Sequence, residues 1–137
     1  MKALDLFFKY CWVLPVSCIG ILLIPLVIFS GVAASITGGV IEIEGGILPF
    51  LLSRRRPNST IEALTLGHVI IGRNHESLKR CRIHEQVHVR QYERWGPLFP
   101  PLYLLAGAVA RLRGRDPYRD NRFEREALHA EGAGKIA

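Results

Sequence analysis

The chain has 137 residues, 49% of them apolar, and its 18 Lys and Arg outnumber 12 Asp and Glu to give a net charge of +6. That length allows one ordinary domain at most, and the apolar share implies that part of the chain is not in water. Three cysteines, with Cys11 and Cys18 in or near the most apolar stretch and Cys81 far from both, argue against a disulfide framework and are compatible with a reducing compartment.

From Trp12 to Ile36 there is no charged residue. About 25 residues at ~1.5 Å each cover the ~30 Å hydrocarbon layer, so this run is read as a transmembrane helix. Pro15 and Pro25 are tolerated in such a helix. A cleaved signal peptide is the competing reading, since Lys2 and Lys9 precede the run and Val32-Ala33-Ala34 resembles a cleavage site. The run exceeds the usual apolar region of ~7–15 residues and Asp5 lies ahead of it, which favours an uncleaved anchor. The chain therefore divides into a membrane anchor helix, 1–36, and a small domain, 37–137. Arg54 to Arg56, Arg73, Lys79, Arg80 and Arg82 follow the anchor and favour the cytoplasmic side for the domain, while Lys2 and Lys9 pull the other way.

Ile41-Glu42-Ile43-Glu44 alternates, breaks at Gly45-Gly46 and resumes at Ile47-Leu48-Pro49-Phe50, a hairpin pattern whose second arm Pro49 confines to an edge. Residues 54–60 form a basic loop, and Ile61 to Gly72 reads as one β-branched strand. Asn74 is suited to cap a helix from about Glu76 to Trp95, stopped by Gly96-Pro97. The apolar run 97–110 is too short to cross a membrane and predicts a buried or interfacial helix. After a charged connector, 111–121, a last helix begins near Asn121 or Arg122, and the tail beyond Glu131 is expected to fray.

The helix at 76–95 contains His84-Glu85-Gln86-Val87-His88, an H-E-x-x-H pattern. Residues four apart lie one turn apart on one face, so His84 and His88 can address a single metal ion, with Glu85 beside them to act on a water. A catalytic zinc takes three protein ligands, and the candidates downstream are Glu124, Glu126 and His129. His68 and His75 are expected to be satisfied locally, His75 as part of the helix cap.

The order of strand, cap, H-E-x-x-H helix and acidic helix resembles the gluzincin class of zinc metallopeptidases. In that class a glutamate in a Glu-x-x-Ala-Asp context on a second helix is the third ligand. Glu124-Arg125-Glu126-Ala127 matches Glu-x-x-Ala and points to Glu124, with Glu126 as the fallback. Leu128 stands where the class has Asp, so a carboxylate that orients a histidine must come from elsewhere, with Asp116 and Asp120 as candidates. The resemblance covers about residues 61–129. It does not account for the membrane segment; with the apolar run it gives an α+β fold, a transmembrane helix followed by a zincin-like domain of short antiparallel sheet, H-E-x-x-H helix, apolar helix and Glu-bearing helix. It further implies Zn2+ on His84, His88 and Glu124, Glu85 as general base, and peptide-bond hydrolysis. Tyr118, Tyr92 or Arg122 is expected to supply an oxyanion donor, Tyr118 first among them. The strand 64–71 is expected to pair with an extended peptide substrate.

The expected partners are a peptide or protein substrate and membrane lipid. The alternative is a non-proteolytic zinc-binding membrane protein with a structural or regulatory role, since few residues remain for a second cleft wall. A basic recognition helix from Lys79 to Gln91 is disfavoured by its apolar flanks, and no nucleic acid is expected.

Overall fold

A computed structural model describes residues 2–29, 31–52, 55–56 and 59–134. Arg54, Pro57 and Asn58 of the basic loop and the last three residues of the tail lie outside these. The elements in chain order are α1 (Lys2–Ile28), β1 (Val32–Thr37), β2 (Val40–Gly45), α2 (Leu48–Leu52), β3 (Arg55–Arg56), β4 (Ser59–Thr60), β5 (Ala63–Leu66), β6 (Val69–Gly72), α3 (His75–Trp95), a 3-10 turn (Gly96–Leu98), α4 (Phe99–Leu112) and α5 (Arg122–Ala133). The fold is α+β, with an N-terminal apolar helix, a small four-stranded sheet and three further long helices, as expected.

Several boundaries differ from the sequence reading. The apolar run does not stay helical to Ile36: it breaks at Gly31 (φ 82°) and Val32–Thr37 becomes β1. Pairing explains this, because β1 joins β2 across Gly38 and Gly39, which both take positive φ (59° and 81°) as a tight type I′ hairpin turn requires. The hairpin thus lies one strand earlier than the alternation implied. Leu48–Leu52 is a short helix rather than a second arm, since Pro49 fits a first helical turn but cannot donate to a sheet. The stretch 61–72 is two strands, because Gly67 (φ 63°) lets the chain reverse between Leu66 and Val69.

The main sheet has the order β1-β2-β6-β5, and it is mixed rather than wholly antiparallel. β2 and β6 run parallel, which the long crossover through α2 and residues 53–62 makes possible. β5 is therefore an edge strand. The central strand β6 is buried at all four positions because both faces are covered. On one face Val69 and Ile71 pack with Ile43, Leu48 and Leu52, with Ile24 of α1 against them. On the other, Ile70 packs with Val40, Leu78 and Val89 under α3. Each such side chain contributes roughly 1.5–3 kcal/mol by leaving water.

α1 is long and apolar enough to cross a membrane. It is also docked along the domain. Val13, Val16, Ser17 and Gly20 are its buried positions, spaced three and four apart as one helical stripe. A Cβ on Gly20 would come within 2.8 Å of the Val69 Cβ, so glycine sets the helix-to-sheet distance. Ser17 Oγ accepts from the His68 backbone N–H (3.0 Å), and Lys9 Nζ reaches Glu93 (3.3 Å). At the far side of α3, α5 packs against the same helix, burying Val87 against Ala127 and Ala130.

Candidate metal centre

α3 begins one residue before the expected start, and its boundaries follow from local chemistry. Asn74 Oδ1 accepts from Ser77 N at 2.9 Å as an N-cap, and Gly96 (φ 55°) ends the helix by donating its N–H to Tyr92 O. The 21 residues between place His84 and His88 on one face, where both are buried. α5 starts on a second capped residue, Asn121, whose Oδ1 accepts from Phe123 N. The cap puts Glu124 in the first turn, 3% exposed and aimed at the two imidazoles.

The three side chains converge. His84 Nε2 lies 3.0 Å from Glu124 Oε2, His88 Nε2 lies 3.5 Å from Glu124 Oε1, and the two Nε2 atoms are 3.2 Å apart. Ligand atoms held at ~2.0–2.2 Å around a tetrahedral zinc are separated by about 3.3 Å, the spacing found here. Glu124 Oε2 is buried and, among the described residues, has no hydrogen-bond partner of acceptable geometry, although His84 Nε2 lies close. A buried orphan oxygen is costly unless a cation satisfies it. The group can hold a metal ion.

The surroundings fix which nitrogen faces the centre. Gln91, 1% exposed, donates through Nε2 to Phe123 O (3.1 Å) and Glu126 Oε2 (3.0 Å), leaving Oε1 as the acceptor 2.8 Å from His88 Nδ1. His88 Nδ1 then carries the proton, and Nε2 presents its lone pair inward. On His84, Nδ1 lies 3.3 Å from Glu131 Oε2, which has the same effect. Tyr103 Oη donates a short hydrogen bond to Glu124 Oε1. Two imidazole lone pairs and a carboxylate meeting in a buried space repel one another unless a positive charge sits among them.

The same imbalance shows in the proton affinities. Burial acts to lower the pKa of His84 and His88, but the Glu124 carboxylate beside them and the negative charge of Glu85 outweigh it and raise both. Burial acts to raise Glu124, yet the adjacent His84 and His88, together with the bond from Tyr103, hold it well below the usual carboxylate range.

Glu85 is buried next to the group, with Oε2 accepting a 2.6 Å hydrogen bond from Thr65 Oγ1 of the edge strand β5. Both residues line a cleft of about 820 Å³ that also contains His84, His88 and Glu124. Strand β5 gives one wall through Ala63, Leu64 and Thr65, and α4 gives part of another through Phe99, Tyr103 and Leu104.

Other expectations resolve as follows. Tyr118 and Tyr92 border the cleft, whereas Arg122 is exposed and lies over the Phe123 ring. Glu126 is not in the group: it accepts from Gln91 and faces Arg94. His129 is exposed and does not line the cleft. Asp116 and Asp120 do not reach either histidine in any described contact; they close their own turn, Asp116 Oδ1 accepting from Tyr118 N and Arg119 N. The carboxylate that does contact a histidine from outside the group is Glu131, one turn beyond Leu128. His68 stacks on Tyr10 (4.4 Å) and contacts Glu93, away from the cleft, and His75 contacts Glu44 at the start of α3 while Asn74 supplies the cap.

Sequence reasoning missed Gln91, Tyr103, Glu131 and Thr65. Gln91 was findable, since three residues after His88 places it on the same helix face. Tyr103 was hidden in an apolar run, and Glu131 and Thr65 depend on how separate elements meet. Comparison with protein-family models, with curated proteins and with solved structures finds no match for this chain.

Proposed function

We propose that this chain is a membrane-associated, zinc-dependent metallopeptidase of gluzincin type that hydrolyses peptide bonds. One observation supports the reading above all. Three buried lone-pair donors meet at ligand spacing, with Glu85 on the same helix and in the same cleft. His₂Glu is a donor set that suits zinc and leaves a fourth position open, and a zinc ion bound there would supply Lewis acidity towards water and a carbonyl oxygen.

The chain's own residues account for the remaining steps. The free edge of β5 pairs with an extended peptide, whose scissile carbonyl then lies over the cleft floor. Glu85 accepts the proton of the attacking water as the C–O bond forms, and delivers it to the departing amine as the C–N bond breaks. Thr65 Oγ1 holds the Glu85 carboxylate against the strand in the resting site, so that substrate entry places the base beside the bond to be cut. Of the phenols that border the cleft, Tyr103 donates to Glu124, so the developing oxyanion falls to Tyr118 or Tyr92.

The test is cleavage of a peptide library by zinc-loaded protein, read by mass spectrometry, with Glu85→Gln as the control. The variant should retain its zinc and lose roughly 10²–10⁴-fold in rate. An unchanged rate ends the peptidase reading while leaving a metal-binding protein.

A further inference from the structure

The N-terminal helix presents two different faces. At about 100° per residue, its buried stripe of Val13, Val16, Ser17 and Gly20 shares one side with all three of its charged residues, Lys2, Asp5 and Lys9, which fall within about 60° of one another. The opposite side carries Leu4, Phe7, Phe8, Cys11, Cys18 and Leu22, all exposed and none charged. These charges lie in the first third of the helix, on its docked side, and the outer side is uncharged from Leu4 to Leu22. That outer side can lie against lipid along the helix.

The docking contacts point the same way. From Lys9, bridged to Glu93, to Ile24, packed on the Val69 cluster, α1 is held against the domain for about 22 Å at ~1.5 Å per residue. These are the residues that a crossing would surround with hydrocarbon. The domain they touch brings charged, exposed groups with it: Arg90 and Arg94 share a surface pocket with Lys9. Crossing would require either undocking α1, which uncovers Val69 and the His68 N–H, or drawing those charges into the apolar layer.

We infer that α1 lies in the plane of the membrane surface, its outer face of Leu4, Phe7, Phe8 and Leu22 sunk into the acyl region of one leaflet while the domain sits above it. In that position the docked side keeps the domain and its charges above the acyl layer, while the uncharged outer side meets it. The apolar surface is not confined to α1. Trp12 lies over Gly96, where a Cβ would come within 2.3 Å of the indole, and α4 starts just beyond that turn. Leu104, Leu105 and Leu112 of α4 are exposed, and Arg111, Arg113 and Arg115 at its end are placed to meet anionic headgroups. Nothing in this inference depends on the metal chemistry.

The experiment counts labels per molecule. In a background with Cys11, Cys18 and Cys81 changed to Ala, cysteines are introduced ahead of the docked stretch (Ala3→Cys) and after the helix (Ser35→Cys), both at exposed positions. The full chain is reconstituted in sealed phosphatidylcholine and phosphatidylglycerol vesicles and treated with a membrane-impermeant maleimide, and intact masses are read before and after detergent. An in-plane helix gives molecules with two labels or none before detergent, whichever leaflet they occupy. A crossing helix gives one label per molecule, and that result overturns the inference. A chain that fails to float with the vesicles, whether as a monomer or as a dimer closed over its own apolar faces, overturns it too. The pair Ala3→Cys and His129→Cys repeats the count should Ser35→Cys disturb β1.

Discussion

Gln91 Oε1 lies 2.8 Å from His88 Nδ1, and the same amide is anchored from behind by Phe123 O of α5. One side chain thus sets the tautomer of a ligand on α3 and ties that helix to the one carrying Glu124. Replacing Gln91 by Ala should weaken zinc binding roughly 10–100-fold, measured by competition with a chromophoric chelator. Gln91→Glu keeps the acceptor for His88 but sets its second oxygen against Phe123 O and Glu126, and with Glu126→Gln beside it should recover more of the affinity than alone. Equal affinity in wild type and the Ala variant would show that His88 needs no such support.

Thr65→Val removes the donor to Glu85 at nearly constant volume, and Thr65→Ser keeps it. Loss of one hydrogen bond to a charged group is worth about 1.5 kcal/mol, or roughly tenfold in rate. The Val variant should therefore cleave about tenfold more slowly with its zinc content unchanged, and the Ser variant should match wild type. A Val variant that also loses metal would assign Thr65 to the structure of the site instead.

How much of this was legible in the sequence depends on how local each feature is. The motif helix, its Asn74 cap and its Gly96 stop are written within a few residues, and they stand where the chain indicates. Glu124 followed from the resemblance carried by Glu124-Arg125-Glu126-Ala127, since the residues alone left Glu126 and His129 open beside it. The anchor boundary was not legible, because Val32-Ala33-Ala34 is as apolar as the helix before it and only the partner strand β2 makes it β. The Gly38-Gly39 and Gly67 turns lay beside stronger-looking signals and were passed over for them. The parallel pairing of β2 with β6, the role of Glu131 and the docking of α1 on Val69 are long-range events, with no periodicity to announce them.

Glu42 is 2% exposed on β2 and is held by Arg82 of α3 through two bonds of 3.0 and 2.9 Å. Arg82→Met strips the partner and leaves a carboxylate in the interior, which costs about 3 kcal/mol given that Arg82 is itself partly in water. Urea unfolding of the variant should show a midpoint lowered by that amount divided by the m-value. Glu42→Gln combined with Arg82→Met should restore part of the loss, since the buried charge is then gone.

Glu93 joins α1 to the domain by contacting both Lys9 and His68. The hydrogen bond from His68 lowers its pKa, partial burial opposes this, and Lys9 adds to the lowering. A depressed carboxylate stabilises the fold above its unfolded value, ordinarily 4.5, and that stability is lost as pH falls through the lower folded value. Acid should therefore loosen α1 below about pH 4.5, seen as rising exposure of Trp12 by fluorescence. In Glu93→Gln this acid-dependent component should be absent, and a wild type and variant with identical pH profiles would assign the acid response elsewhere.

The metal centre is the claim on which the functional reading stands, and metal analysis of purified protein tests it most directly. Wild-type protein expressed with zinc available should carry one zinc per chain, while His84→Ala and Glu124→Ala, each verified as folded by circular dichroism, should carry none after dialysis. Stoichiometric zinc in both variants, or none in the wild type across a zinc titration, would contradict the assignment of His84, His88 and Glu124 as a metal site.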